Sequence, residues 1–357
     1  MTYEDFFQSD PFGIIQADKE KNFLQYFSYL TKYHKNHCQQ YATLLENLNF
    51  KIESVKNLAD FPFLPVRLFK DFELISVPKN NIFKTLTSSG TSGQRVSKIF
   101  LDKETSLTQQ KALSKIVTSL TGNSRLPMII IDCPSVLKNR EMFSARGAGI
   151  LGFSIFGSKK IYAFDDEMNL QVEQILEFLK ANTGRKIFLF GFTFMVWEYF
   201  FKVIREKNLQ IDLSNAILIH GGGWKKMQAQ ALTPQKFKLE LKKICGITQV
   251  FNYYGMVEQT GSIFIECEEG HLHTSIFSEI IIRRANDFSP CNCGEVGIIE
   301  LLSILPKSYP GHIILTEDKG RILGADDCSC GRKGKYFEIL GRIKQAEIRG
   351  CSDTYGR

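Results

Sequence analysis

No stretch of the chain approaches the roughly 18 consecutive apolar residues of a membrane-spanning helix, so a membrane protein of the helical kind is not expected. Met1 to Asp10 carries three acidic groups, Glu4, Asp5 and Asp10, and lacks the basic and apolar pattern of a secretory signal. The expectation is a cytoplasmic location. Internal repeats and low-complexity tails are missing as well, which excludes solenoids and disordered arms. Basic runs are scarce: the formal charge is +7, but Lys and Arg are scattered, with pairs such as Lys225-Lys226 and Lys242-Lys243. No nucleic-acid partner is expected from that distribution. The nine cysteines are an odd number and cannot all pair within the chain, so metal binding or thiol chemistry in a reducing compartment is favoured over disulfides.

What is present is an ordinary globular composition, 43% hydrophobic and 23% charged over 357 residues, enough for one large or two medium domains. Apolar groups at helical spacing over residues 16–49 predict one or two N-terminal helices, ended by the proline-punctuated "FPFLPVRLFK" of 61–70. Strands are predicted at Asn81 to Leu86 and Ser97 to Leu101, a helix over Lys103 to Leu120, and a buried strand in "PMIIIDCP" of 127–134. The alternation continues with strand Ile187 to Phe190, helix Phe194 to Lys207, strand Ala216 to His220, helix Pro234 to Cys245 capped by Thr233, and strand Gln249 to Tyr253. Such alternation implies a parallel sheet with ligands beyond the carboxyl ends of its strands. Shorter β-type runs follow from about residue 262: Glu279 to Arg283, Gly297 to Leu302, His312 to Leu315 and Tyr336 to Leu340. The expected organisation is a helical region 1–80, an α/β nucleotide-binding core 81–261, a smaller β-rich lobe 262–341 and a short tail 342–357.

The loop "TLTSSGTSGQRVSK" (85–98) is too rich in Gly, Ser and Thr to enter a core. Gly90 and Gly93 permit close backbone approach, successive N–H groups can curl around an anion, Ser88, Ser89, Thr91 and Ser92 add hydroxyl donors, and Lys98 supplies countercharge. It is not a Walker A motif, because Gln94 follows Gly93 where that motif needs Lys. A Ser/Gly linker is the competing reading. The strand-like flanks favour a phosphate loop. Two further glycine-rich elements, "HGGGWKK" (220–226) and "YYGMVEQTG" (253–261), each follow a predicted strand.

The order "SSGTSGQRVSK", "GGGWKK", "YYGMVEQTG", "TEDKGRI" and "LGRIKQAEIRG" resembles the adenylate-forming enzymes. Within them, "FPFLPVRLFK", "SYPGHIILTED", "CSCGRKGKYFEILGR" and "IRGCSD" resemble the acyl-protein synthetase (LuxE-type) component of bacterial fatty acid reductase complexes, over nearly the whole chain. The resemblance implies an α/β fold with a large nucleotide-binding domain and a β-rich lobe, ATP and Mg²⁺ as cofactors, a fatty acid substrate and an acyl reductase partner. It implies that Ser88 to Gln94 and Lys98 hold the phosphates, that Gly221, Gly222 and Gly223 flank the adenine, and that Tyr254 stacks on it. Glu258 would bind Mg²⁺, Asp318 the ribose hydroxyls, and Arg342 would close over the nucleotide. Read without the resemblance, Tyr254 is a core aromatic and Glu258 a solvated surface carboxylate.

Adenylate-forming CoA ligases continue past this point into a lid domain. With the chain ending at Arg357, the expectation is that this lid is essentially absent and the acyl acceptor is Cys351 in "EIRGCSD", the position of the acyl-accepting cysteine in the resembling family. Gly350 frees the backbone there and Arg349 favours the thiolate. Cys38, Cys133 and Cys245 read as buried inert thiols, and His220, closing a buried strand, reads as structural rather than as a base. Two ligand sets for Zn²⁺ are available: the paired turns Cys291/Cys293 and Cys328/Cys330, or Cys267 and His273 with Cys328 and Cys330. The resemblance favours the second, since related ligases carry Cys and His there before a CxCG turn. Reduced thiols in tight turns are the alternative to either. The leading expectation is a fatty acid–protein ligase that forms acyl-AMP and then an acyl thioester on its own cysteine. The alternatives are an acyl- or aryl-CoA ligase of the phenylacetate type and a non-catalytic nucleotide-binding subunit. Acyl chain length and oligomeric state, whether homo- or hetero-oligomer, are left open.

Overall fold

The computed structural model describes residues 3–88, 95–122, 124–137, 145–224 and 231–343. Along the first stretch lie helices α1 (Tyr3–Gln8), α2 (Gln16–His37) and α3 (Gln39–Asn47), strand β1 (Leu64–Pro65), the short α4 (Leu68–Asp71), the hairpin β2 (Lys84–Thr87) and β3 (Lys98–Leu101), and α5 (Lys103–Thr121). The middle stretch alternates: β4 (Leu126–Ile131), α6 (Ala145–Phe153), β5 (Gly157–Tyr162), α7 (Val172–Ala181), β6 (Ile187–Phe192), α8 (Lys202–Glu206), β7 (Ala216–Gly221), α9 (Pro234–Cys245) and β8 (Gln249–Tyr254). Strands then dominate: β9 (Phe264–Glu266), β10 (Leu272–His273), β11 (Ser278–Arg283), β12 (Gly297–Ser303), β13 (Ile313–Ala325) and β14 (Lys335–Arg342).

These elements pack into two compact units, one formed by Met1–Ile116 with Gly255–Glu347, the other by Val117–Tyr254. In the second unit β8, β7, β6, β4 and β5 lie side by side, all parallel. Every residue of β6 and β7 is buried, as continuous apolar strands covered on both faces require. Phe188, Phe190, Phe192, Phe194 and Trp197 are among the residues of this core.

In the first unit the antiparallel order is β11-β12-β13-β14-β10-β9, with β1 parallel to the start of β13. The N-terminal helices pack onto these late strands. Lys19 of α2, fully buried, lies 3.2 Å from Glu279 Oε2 of β11 and donates to Thr274 Oγ1 at 2.7 Å. His34 stacks on His312 with ring centroids 4.8 Å apart, donates from Nε2 to the Pro306 carbonyl and accepts from the Ser76 hydroxyl. The carbonyl can only accept, which sets this tautomer.

Two local readings are revised. The helix expected over Phe194 to Lys207 is a π-helix, Met195–Phe201, that passes into α8, so one stretch carries two hydrogen-bond patterns. Strand β5 has no strand signal in the sequence because its middle is Lys159-Lys160, exposed at the sheet edge, where charge rather than apolar alternation is expected.

Candidate active site and metal-ligand cluster

In the second unit, β7 ends in the glycine turn. A Cβ on Gly221 would lie 2.6 Å from Tyr253 Cε1, and one on Gly222, whose φ is +79°, would lie 2.6 Å from Phe192 Cδ1. Gly223, at φ +65°, has open space where a side chain would be. Two left-handed residues in succession bring bare backbone to the carboxyl ends of β6 and β7, the place where parallel sheets bind ligands. Tyr253 points into the sheet's aromatic cluster, with Phe153 at 5.2 Å and Phe190 at 6.2 Å between ring centroids. Strand alternation therefore turns Tyr254, half-buried, to the opposite face. His220 is buried, its Nδ1 is 3.0 Å from Thr193 Oγ1, and burial pushes its pKa down to about 3. Buried and hydrogen-bonded, this imidazole is held neutral.

In the first unit, the hairpin β2–β3 is extended by Ser88, whose N–H donates to Ser97 O at 3.1 Å and whose buried Oγ accepts from Ser97 N–H at 2.9 Å. Lys98 begins β3 opposite Thr87 with an exposed side chain. Ser89 to Gln94, like Cys351, Arg349 and Gly350, lie outside the described residues.

Glu258 sits on a three-residue 3₁₀ turn, Val257–Gln259, and is only 1% exposed, so it is not a solvated surface carboxylate. Magnesium is commonly held by one or two carboxylates with substrate phosphates supplying further oxygens, and Glu258 offers one such carboxylate. Asp318 and Arg342 are register partners across β13 and β14, with Arg342 Nε 3.4 Å from Asp318 Oδ1 and Glu317 Oε2 4.0 Å from its Nη2.

Two glycine turns of the same unit present sulfur. Cys267 opens the β9–β10 turn, closed by Gly270 N–H to Cys267 O at 3.0 Å, and Cys328 opens another, closed by Gly331 N–H to Cys328 O at 3.0 Å. The pairing of β10 with β14 joins them: ligand atoms of Cys267, His273, Cys328 and Cys330 all lie within 4.8 Å of one another. Cys267 Sγ is 4.0 Å from Cys328 Sγ, and Cys330 Sγ is 3.5 Å from His273 Nε2. A tetrahedral zinc with Zn–S of about 2.3 Å and Zn–N of about 2.0 Å has S···S edges near ~3.8 Å and S···N edges near ~3.5 Å, so the donor set fits that ion. Burial holds His273 neutral with a pKa of about 3 and raises the three thiols. Cys291 and Cys293 are not members of this cluster. Cys291 Sγ would instead lie 2.8 Å from a Cβ on Gly297, and Cys293 donates to Ile322 O at 3.5 Å. The pattern of the sequence did not single out His271, whose Nδ1 lies 3.4 Å from Cys328 Sγ. Its place in "CEEGHLH", between Cys267 and His273 of the cluster, was the available signal.

No helix among the described residues is long and apolar enough to cross a membrane. The chain is similar to two enzymes named long-chain-fatty-acid–luciferin-component ligase. That of Vibrio harveyi is 24% identical over 344 residues, covering 90% of this chain and 84% of the relative. That of Aliivibrio fischeri is 22% identical over 335 residues with the same shares, 90% and 84%. The fold is that of an adenylate-forming ligase, as in the open conformation of 2-hydroxyisobutyryl-CoA ligase in complex with 2-HIB-AMP and CoA: TM-score 0.72 at 16% identity, covering 94% of this chain and 78% of that one. The model of the family described as acyl-protein synthetase, LuxE, matches residues 2–357, and the chain belongs to that family of ligases.

Proposed function

We propose that the protein joins a long-chain fatty acid to its own Cys351 in two steps driven by ATP. In the first, a carboxylate oxygen of the fatty acid attacks the α-phosphorus and pyrophosphate leaves, giving acyl-AMP. In the second, the Cys351 thiolate attacks the acyl carbonyl carbon and AMP leaves with the electrons of the broken C–O bond. The thioester is then handed to a partner acyl reductase protein.

The pairing of Asp318 with Arg342 across β13 and β14 carries this reading: a carboxylate for ribose hydroxyls and a cation for the nucleotide stand side by side on one hairpin. The adenylate in the related ligase structure and the names of the two curated relatives support the same chemistry. Lys98 and the Ser88 to Gln94 loop would cradle the phosphates, the Gly221 to Gly223 backbone and Tyr254 would flank the adenine, and Glu258 would hold Mg²⁺. Bound there, the ion neutralises charge on phosphate oxygens. Cys267, His273, Cys328 and Cys330 would hold a structural Zn²⁺, a site whose four protein ligands leave no open position for chemistry.

Incubation with ATP, Mg²⁺ and labelled fatty acid, without CoA, tests the whole scheme. Label is expected on the protein, released by neutral hydroxylamine, abolished by Cys351→Ser, with acyl-AMP formation retained in that variant. Soluble acyl-CoA formed on adding CoA, indifferent to Cys351→Ser, would favour a CoA ligase instead. Thioester label persisting on the variant would move the acceptor to another cysteine.

A further inference from the structure

In the turn bearing Glu258, Gln259 N–H reaches Met256 O at 3.2 Å, and the Glu258 carbonyl accepts a hydrogen bond from outside the turn. That donor is the hydroxyl of Tyr309, 2.9 Å away. Tyr309 is fully buried, and its oxygen in turn accepts from Gln109 Nε2 of α5 at 3.2 Å. The next residue of the turn is gripped from the same side, with Gln259 Nε2 donating to Gly311 O at 2.8 Å and Leu301 O at 3.1 Å.

Two glycines make this closeness possible. A Cβ on Gly311 would lie 2.2 Å from Tyr309 Cε2 and 3.0 Å from the Glu258 carbonyl oxygen. Gly261, at φ +89°, passes the backbone of Gln109, where a Cβ would come within 2.5 Å of its carbonyl oxygen. A side chain at either glycine would collide with Tyr309 or with the backbone of Gln109.

Packing alone would be served by phenylalanine. A buried hydroxyl is tolerated because it is bonded, and here its hydrogen goes to the backbone of the very residue read as the cation ligand. We propose that Tyr309 is a positioning residue for Mg²⁺·ATP, holding the Glu258 turn so that its carboxylate meets the cation. The inference rests on Glu258 as the Mg²⁺ ligand. Groups that orient a metal ligand typically change metal affinity by about 10- to 100-fold when removed.

The test is calorimetric titration of the full chain with ATP in the presence and absence of Mg²⁺, comparing the affinity gained from the cation. Tyr309→Phe should reduce that gain about tenfold and leave affinity for metal-free ATP unchanged. An unchanged gain, or an equal loss of both affinities, would overturn the proposal by making the hydroxyl merely structural. Glu258→Gln separates the two claims. If it leaves the gain intact, the cation reading fails and takes this inference with it; if it abolishes the gain while Tyr309→Phe does not, only the tyrosine is wrong. Should Tyr309→Phe not fold, Gln109→Met decides: a smaller loss of the same sign supports the relay, and no change in the gain refutes it.

Discussion

Arg342 Nε lies 3.4 Å from Asp318 Oδ1, the two residues facing each other in register on β13 and β14. Arg342 is about a third exposed, and pairs of that kind contribute at most about 1 kcal/mol to stability. The pair therefore adds little to the fold, and the role proposed for it is toward the nucleotide. Asp318→Ala and Arg342→Ala should each lower kcat/KM for ATP in acid-dependent pyrophosphate exchange by about a hundredfold, with melting temperatures shifted little. Normal exchange in both variants would remove the pair from the site.

Glu258→Gln keeps the shape of a buried side chain while removing its charge. Pyrophosphate exchange should fall by about two orders of magnitude or more, with the far-ultraviolet circular dichroism spectrum intact. Exchange at the wild-type rate would exclude Glu258 from the adenylation step.

Elemental analysis should find about one zinc per chain. Cys267→Ser should lose it and Cys291→Ser should keep it, since only the former belongs to the four-residue cluster. Retention in Cys267→Ser with loss in Cys291→Ser would contradict the geometry.

The stacked pair His34 and His312 predicts acid sensitivity. Burial lowers His34 to about 3 and His312 well below 6.5, so the folded protein keeps both neutral while the unfolded chain takes up protons below about 6.5. Stability is full above that pH and is lost as pH falls toward about 3. At pH 4.5 His34 alone should contribute about 2 to 3 kcal/mol of destabilisation relative to pH 7.5. Denaturant unfolding at the two pH values measures it, and His34→Gln should be less stable at pH 7.5 yet less pH-sensitive. An identical pH slope in the variant would show that the acid lability comes from other groups.

Much of the fold was legible because its signals are local. Thr233 and Pro234 open α9, with the Thr233 hydroxyl accepting from Lys236 N–H, and Gly246 at φ +76° closes it, all within fourteen consecutive residues of the sequence. The buried strands β4, β6 and β7 announce themselves as apolar runs because both faces are covered. The edge strand β5 and the π-helix at Met195–Phe201 carried no such mark, one because its exposed lysines hide the pleat, the other because i→i+5 bonding leaves no compositional trace.

By itself the sequence determined the family, the glycine turn of residues 221–223 and the side chains available for nucleotide chemistry, since motifs are written in consecutive residues. It left two metal-ligand sets open and gave Tyr309 no role. What the tertiary structure supplies is proximity: β10 pairs with β14, bringing Cys267 to Cys328 across 61 positions, and the segment after β12 returns Tyr309 to Glu258 across 51. Strand pairing between distant segments depends on which faces the whole chain must bury, and no local pattern encodes that choice.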